Sequence, residues 1–143
     1  MGQQIFMTDD YKVTVEGPSA AGTSTVDSGT YDMRTNGYDG ILFIVRFGTP
    51  AANNNIRAQQ GQLANMTDAQ DLAGTLVNSA TLNQHMLDLV RPTDPFVRCR
   101  VTRGTSTTID AIIVVQYRPG VHPVTQPATA VFEQWQAPLE GVA

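Results

Sequence analysis

Cysteine occurs once in the 143 residues, at Cys99, so no internal disulfide can form. Lysine is as scarce: Lys12 stands alone beside eight arginines. Arginine makes flat, bidentate contacts with carboxylates and is the better interface residue of the two. Charged residues reach only 15%, below the usual quarter, and Asn, Gln, Ser and Thr take their place. Neutral polar groups cost less to desolvate than ions, so such a surface suits packing against neighbours. The net charge of −4 argues against nucleic acid as the main partner, because phosphate binding draws on clustered positive charge. No apolar run approaches the roughly 20 residues that span a bilayer. No charged start followed by an apolar stretch marks a secretion leader. The expectation is a protein made and used without passing through a membrane.

Motifs that carry chemistry are equally thin. There is no phosphate-cradling Gly-rich loop and no Gly-x-Ser-x-Gly elbow. His85 and His122 are too far apart in sequence for a recognisable zinc spacing. Cys99, His85 and Asp88 are formally a nucleophile, a base and an orienting acid. Cys99, however, alternates with Val97 and Val101 on one apolar strand face, which makes it a buried, inert thiol. His85 reads as a surface or interface residue. Asp68 and Asp71 have the spacing of helix N-terminal acids, with too few oxygens nearby for calcium. No catalytic residue, metal or cofactor is expected.

What the chain does contain is short apolar runs separated by turn signals. About eight candidate strands emerge: Tyr11 to Glu16, Thr30 to Arg34, Ile41 to Phe47, Asn55 to Gly61, Thr75 to Ser79, Leu82 to Arg91, Phe96 to Arg103 and Ile109 to Arg118. Gly-Thr pairs punctuate many of the junctions, glycine supplying the bend and threonine the strand start. Leu63 to Ala73 reads as a loop in which Thr67 to Gln70 caps one helical turn. The fold class is therefore all-β, a jelly-roll-like β-sandwich of about eight strands over residues 1–118. Ile41 to Phe47 and Ile109 to Arg118 are apolar on both faces. A sandwich strand normally shows water one face, so each needs its second face covered, by the chain's own tail or by another subunit.

Residues 119–143 form an extended C-terminal arm in this reading. Pro119, Pro123, Pro127 and Pro138 oppose regular structure. The arm nevertheless carries Val121, Val124, Val131, Phe132, Trp135 and Leu139 with only two carboxylates, Glu133 and Glu140, unlike a disordered tail. It docks on a neighbouring surface or folds back on its own sandwich. Val131, Phe132 and Trp135 are its candidate anchors, since large aromatics dominate interface energetics. Arg98, Arg100 and Thr102 share the strand face opposite Cys99, and Arg103 follows. This positive stripe is either a solvated sheet face or a set of partners for carboxylates on another subunit.

Five tracts occur in the order Tyr38-Asp39-Gly40-Ile41-Leu42-Phe43-Ile44, Ile56-Arg57-Ala58-Gln59-Gln60-Gly61, Asp71-Leu72-Ala73-Gly74-Thr75, Phe96-Val97-Arg98-Cys99-Arg100-Val101 and Ile113-Val114-Val115-Gln116-Tyr117, followed by Pro123-Val124-Thr125-Gln126. Taken as an ordered set, they resemble the cement, or head-decoration, proteins of tailed bacteriophages, from Tyr38 onward. The resemblance implies a jelly-roll fold, homodimers near the twofold positions of a capsid, the major capsid protein as partner, a place on the virion surface and no catalytic activity. It carries no motif of functional residues. A dimer that bridges a capsid seam would add many weak contacts that act together. The competing expectation is a carbohydrate-binding or host-adhesion module, with Tyr31, Tyr38 and Trp135 as rings.

Overall fold

A computed structural model describes residues 6–137 and 141. Pro138, Leu139 and Glu140 of the expected arm, and its last two residues, lie outside the described residues.

A single helical turn, α1 (Met7–Asp10), precedes eleven strands. They are β1 (Tyr11–Glu16), β2 (Ser19–Gly22), β3 (Val26–Asp27), β4 (Tyr31–Asp32), β5 (Gly40–Phe47), β6 (Asn55–Gly61), β7 (Gln70–Asp71), β8 (Val77–Asn78), β9 (Gln84–Val90), β10 (Phe96–Thr102) and β11 (Thr107–Tyr117). One sheet runs β1-β11-β5-β9, with β2 also on β11. The other runs β3-β10-β6-β7, with β4 on β10 and β8 on β6. Every pairing is antiparallel, and one set of them is nested: β1 and β2 with β11, β3 and β4 with β10, β5 with β9, β6 with β7 and β8; β5 with β11 and β6 with β10 then join these hairpin arms side by side. This is the pattern of one long hairpin rolled on itself, so the all-β, jelly-roll sandwich expected from the sequence is what forms.

Cross-strand register explains the core. Phe43 lies opposite both Val114 and Leu87, and Val45 opposite Ile112 and His85. Across the gap, Val97, Cys99 and Val101 of β10 and Ile56 and Ala58 of β6 point inward, all without solvent exposure. Period-2 alternation on β10 leaves Arg98, Arg100 and Thr102 outside.

The short helix expected at Thr67 to Gln70 does not form. Asp68 instead turns its carboxylate on the loop amides of Gln62 (2.8 Å) and Leu63 (3.3 Å), and Met66 takes a left-handed φ of 58°. Satisfying loop N–H groups competes with helix capping, and here it wins. Asp71 sits on β7, paired with Arg57 (3.1 Å) and accepting from the Gln59 amide (2.6 Å).

Two strand ends share one anchor. Arg91 after β9 and Arg118 after β11 both adopt positive φ, 55° and 50°, and both reach the Asp39 carboxylate, at 3.2 and 3.6 Å. Next to Asp39, Gly40 lies opposite Tyr117, whose ring leaves no room for a Cβ there. The phenol crosses this glycine and donates its O–H to Asp88 of β9.

Candidate interaction surface

The two faces of the first sheet follow from register. Gln116, Val114, Ile112, Ile41, Phe43, Val45, Leu87 and His85 face the second sheet and are buried. Their alternates face outward in two main rows. One row is Val15, Ile113, Ile44 and Met86; the next is Val13, Val115, Leu42 and Asp88. The outer face is thus apolar across all four strands. Val15 is 64% exposed, Met86 50% and Val90 48%, while Leu42, Ile44, Ile113 and Val115 are partly exposed. At one end the rim is the Arg46–Asp110 pair, 3.7 Å apart; at the other it is the Tyr117–Asp88 contact and the Asp39–Arg91 pair. A contiguous apolar face with a polar rim is what protein contacts bury.

β1 makes this face unusual, because its apolar alternates, Tyr11, Val13 and Val15, point away from the core. The inner positions hold Lys12, Thr14 and Glu16. Glu16 fixes that choice: its carboxylate accepts from the Gly29 amide (2.9 and 3.1 Å) and from the Tyr31 hydroxyl (2.5 Å). Turning β1 over would place this acid on an apolar surface and leave the Gly29 amide unpaired.

The described part of the arm does not cover the outer face. Val124 is buried in the sandwich core, and its N–H donates to the Asp9 carbonyl (3.0 Å). Gln126 then acts as one residue of a missing neighbour strand: its oxygen accepts from Val13 N–H (3.1 Å), and its amide donates to the Tyr11 (2.7 Å) and Thr8 (3.0 Å) carbonyls. The arm's start therefore docks on its own sandwich, along the edge of β1. Farther on, Gln134 reaches Thr8 and Asp9 of α1 (2.7 and 2.8 Å). The three predicted anchors remain open: Val131 is 98% exposed, Phe132 48% and Trp135 71%, with the indole N–H donating only to neighbouring Glu133 (2.7 Å).

The arginines are placed differently from the sequence expectation. Arg100 forms a two-pronged bond with Asp27 (2.8 and 2.9 Å), and Arg98 lies 3.5 Å from the same carboxylate. The hydrogen bond from Arg100 holds the Asp27 carboxyl below its usual range. The acid anticipated on another subunit is therefore supplied within the chain by β3, a strand too short to show in the sequence pattern. Arg103 does not join the stripe at all. It is buried, and its guanidinium donates to the carbonyls of Ser24 (2.8 Å), Ala20 (2.7 Å) and Thr107 (2.9 Å). It clasps the β2–β3 turn to the start of β11.

His85 also departs from expectation, being buried rather than at the surface. It packs edge-on against Phe47, ring centroids 5.0 Å apart. Burial lowers its basicity; the nearby Asn83 backbone opposes this, although no hydrogen bond of ordinary geometry reaches either ring nitrogen. Cys99 is fully buried, and burial pushes its thiol up to about 12. Asp88 lies on the opposite face of β9 from His85, so the three cannot assemble as a triad. Among the described residues, no cluster of three His, Cys, Asp or Glu side chains could hold a metal ion.

No protein-family model matches the sequence, and no curated protein matches it either.

Proposed function

We propose that this chain is a non-enzymatic structural protein that works by binding other protein subunits, as a cement protein on the head of a tailed bacteriophage. The observation that carries the reading is the four-strand apolar outer face, to which β1 contributes Val13 and Val15 by pointing its apolar side away from its own core. An apolar β-strand face turned to solvent is costly unless another molecule shields it.

The partner on that face is a second copy, related by a twofold axis. Strands ~4.8 Å apart and ~3.3 Å per residue make a patch of four strands by about seven residues, roughly 450 Å² per copy. Two such faces total about 900 Å², close to the roughly 1,000 Å² of a specific interface, and the arm adds to it. The rim at each end carries both signs of charge, so two identical faces meet without a field between them. The arm supplies the second contact. Val131 and Trp135 are largely exposed and Phe132 about half-exposed, and these three would anchor on the major capsid protein. A dimer with two arms holds two capsid sites at once, so modest contacts give tight retention. Arg98 and Arg100 remain partly exposed beside Asp27 and would orient polar contacts at the rim of such a complex.

The test is removal of the chain after Gln126, which keeps Val124 and the β1-edge contacts in place, alongside Trp135→Ala. Both variants should remain folded and dimeric and should lose binding to phage heads stripped of the protein. Unchanged occupancy on those heads would defeat the arm's role.

A further inference from the structure

The first sheet ends in two edge strands, β1 and β9, and the chain treats them differently. At β1, Gln126 takes up the Val13 N–H and the Tyr11 carbonyl. At β9 the edge groups stay free. Phe47 N–H donates to the Asn83 carbonyl (2.9 Å) and Arg91 N–H to the Asp39 carbonyl (2.7 Å), and both pairs continue the β5–β9 register. Bonded pairs alternate along an antiparallel ladder, so Gln84, Met86, Asp88 and Val90 turn their N–H and carbonyl groups away from β5. Among the described residues nothing bonds to these groups. Proteins usually guard such an edge with a charge, a proline or a bulge. β9 holds no proline, and its register with β5 is unbroken. Its one charged residue, Asp88, is drawn back over its own sheet by the Tyr117 hydroxyl. Met86 and Val90 beside it are about half exposed.

We infer that β9 pairs edge to edge with β9 of a second copy, antiparallel about a twofold axis at Met86, so that two sheets become one. The free backbone groups call for an extended strand, and the side chains select this one. An axis at Met86 sets the two thioethers side by side and each Gln84 amide opposite the Asp88 carboxylate of the other copy. Tyr117 engages only one oxygen of that carboxylate, so the other can accept. Moving the axis to Leu87 makes the two Asp88 carboxylates diagonal neighbours, and moving it to Asp88 sets them directly opposite, where like charges repel. The chosen register opposes residues 84 with 88, 86 with 86 and 88 with 84, and such pairs exchange about six backbone hydrogen bonds. The strip falls well short of the roughly 1,000 Å² of a stable interface, so its Kd is on the order of 1 mM and it forms where copies are crowded. Its backbone bonds lie at the sheet's edge rather than on the outer face around Val115, so either contact can fail without the other.

The experiment is disulfide cross-linking of the full chain carrying Val115→Glu, a substitution that sets a charge in the outer face and opposes pairing there. Single cysteines are added by Met86→Cys, Gln84→Cys or Asp88→Cys, and each protein is oxidised with diamide at about 1 mM chain, near the expected Kd. Cys99 is fully buried and takes no part. Opposed bonded residues lie about 5.5 Å apart, within disulfide range. Met86→Cys should therefore form a covalent dimer at least about tenfold faster than Gln84→Cys or Asp88→Cys, whose cysteines are held about 13 Å from their equivalents. Gln84→Cys mixed with Asp88→Cys should cross-link as a heterodimer as fast as Met86→Cys does alone. Two sheets stacked face to face stand about 10 Å apart, too far for a disulfide, so these cross-links report on the edge and not on the outer face. Met86→Cys reacting no faster than Gln84→Cys would overturn the pairing, as would a mixture that reacts no faster than its parts; the edge would then fall to an extended strand of a different chain.

Discussion

Val115 sits in the middle of the outer face, between Val13 and Leu42, and is only partly exposed. Replacing it by glutamate should barely trouble the isolated chain, because the new carboxylate points to water; the expected cost is about 1 kcal/mol, mostly lost strand preference. In a face-to-face dimer the same carboxylate is desolvated with no partner, at several kcal/mol per ion. Taking ~3 kcal/mol for each of two copies gives about 6 kcal/mol, or roughly a 10,000-fold rise in the dimer Kd. Sedimentation velocity over a wide dilution series reads this directly, with a thermal melt to confirm that the variant is folded. The wild type should sediment at twice the 15.4 kDa chain mass, and Val115→Glu at the chain mass with a melting temperature close to wild type. Thr102→Glu, on the outside of the other sheet, is the control and should stay dimeric. A Val115→Glu protein that dimerises like the wild type would refute the reasoning.

Arg103→Ala should destabilise the chain by about 3 kcal/mol in chemical denaturation, because three carbonyls lose a charged donor. Arg100→Ala, at a part-exposed ion pair, should cost under about 1 kcal/mol in the same assay. His85 should make stability fall on mild acidification. Its folded pKa lies below the ordinary 6.5, so the unfolded chain binds the proton more readily. Stability is full above that value and is lost as pH drops from 6.5 through the lowered folded value. His85→Leu should flatten the denaturation free energy between about pH 6.5 and 5, above the range of the carboxylates; an unchanged slope would show that the ring is not the cause.

Strand positions were legible because apolar alternation is a local signal. Tyr11–Glu16 and Asn55–Gly61 have the bounds the alternation predicts, and β5, β9, β10 and β11 lie within a residue or two of theirs. The direction in which a strand faces is not local. The alternation on β1 shows two faces but not which is inward; the choice rests on Glu16 bonding across to Gly29 and Tyr31. Asp27 was hidden as the partner of Arg98 and Arg100 because β3 is two residues long and far away in sequence. Arg103 and His85 did carry a usable signal. Arg103 shares the parity of Val101, and His85 that of Leu87, so both were marked as inward; charge and polarity argued the other way, and packing prevailed. Thr67 to Gln70 resembles a helix start, yet the loop around it needed the Asp68 carboxylate more.

The most direct measurement reads the side chains themselves: methyl NMR of the wild-type chain with a soluble paramagnetic agent, repeated over a dilution series. Val13, Val15, Leu42, Ile44, Ile113 and Val115 should be shielded from the agent at high concentration and become accessible together on dilution, while Val131 stays accessible throughout. If the methyl groups of those six residues meet the agent freely at every concentration, nothing lies against the sheet, and the account fails.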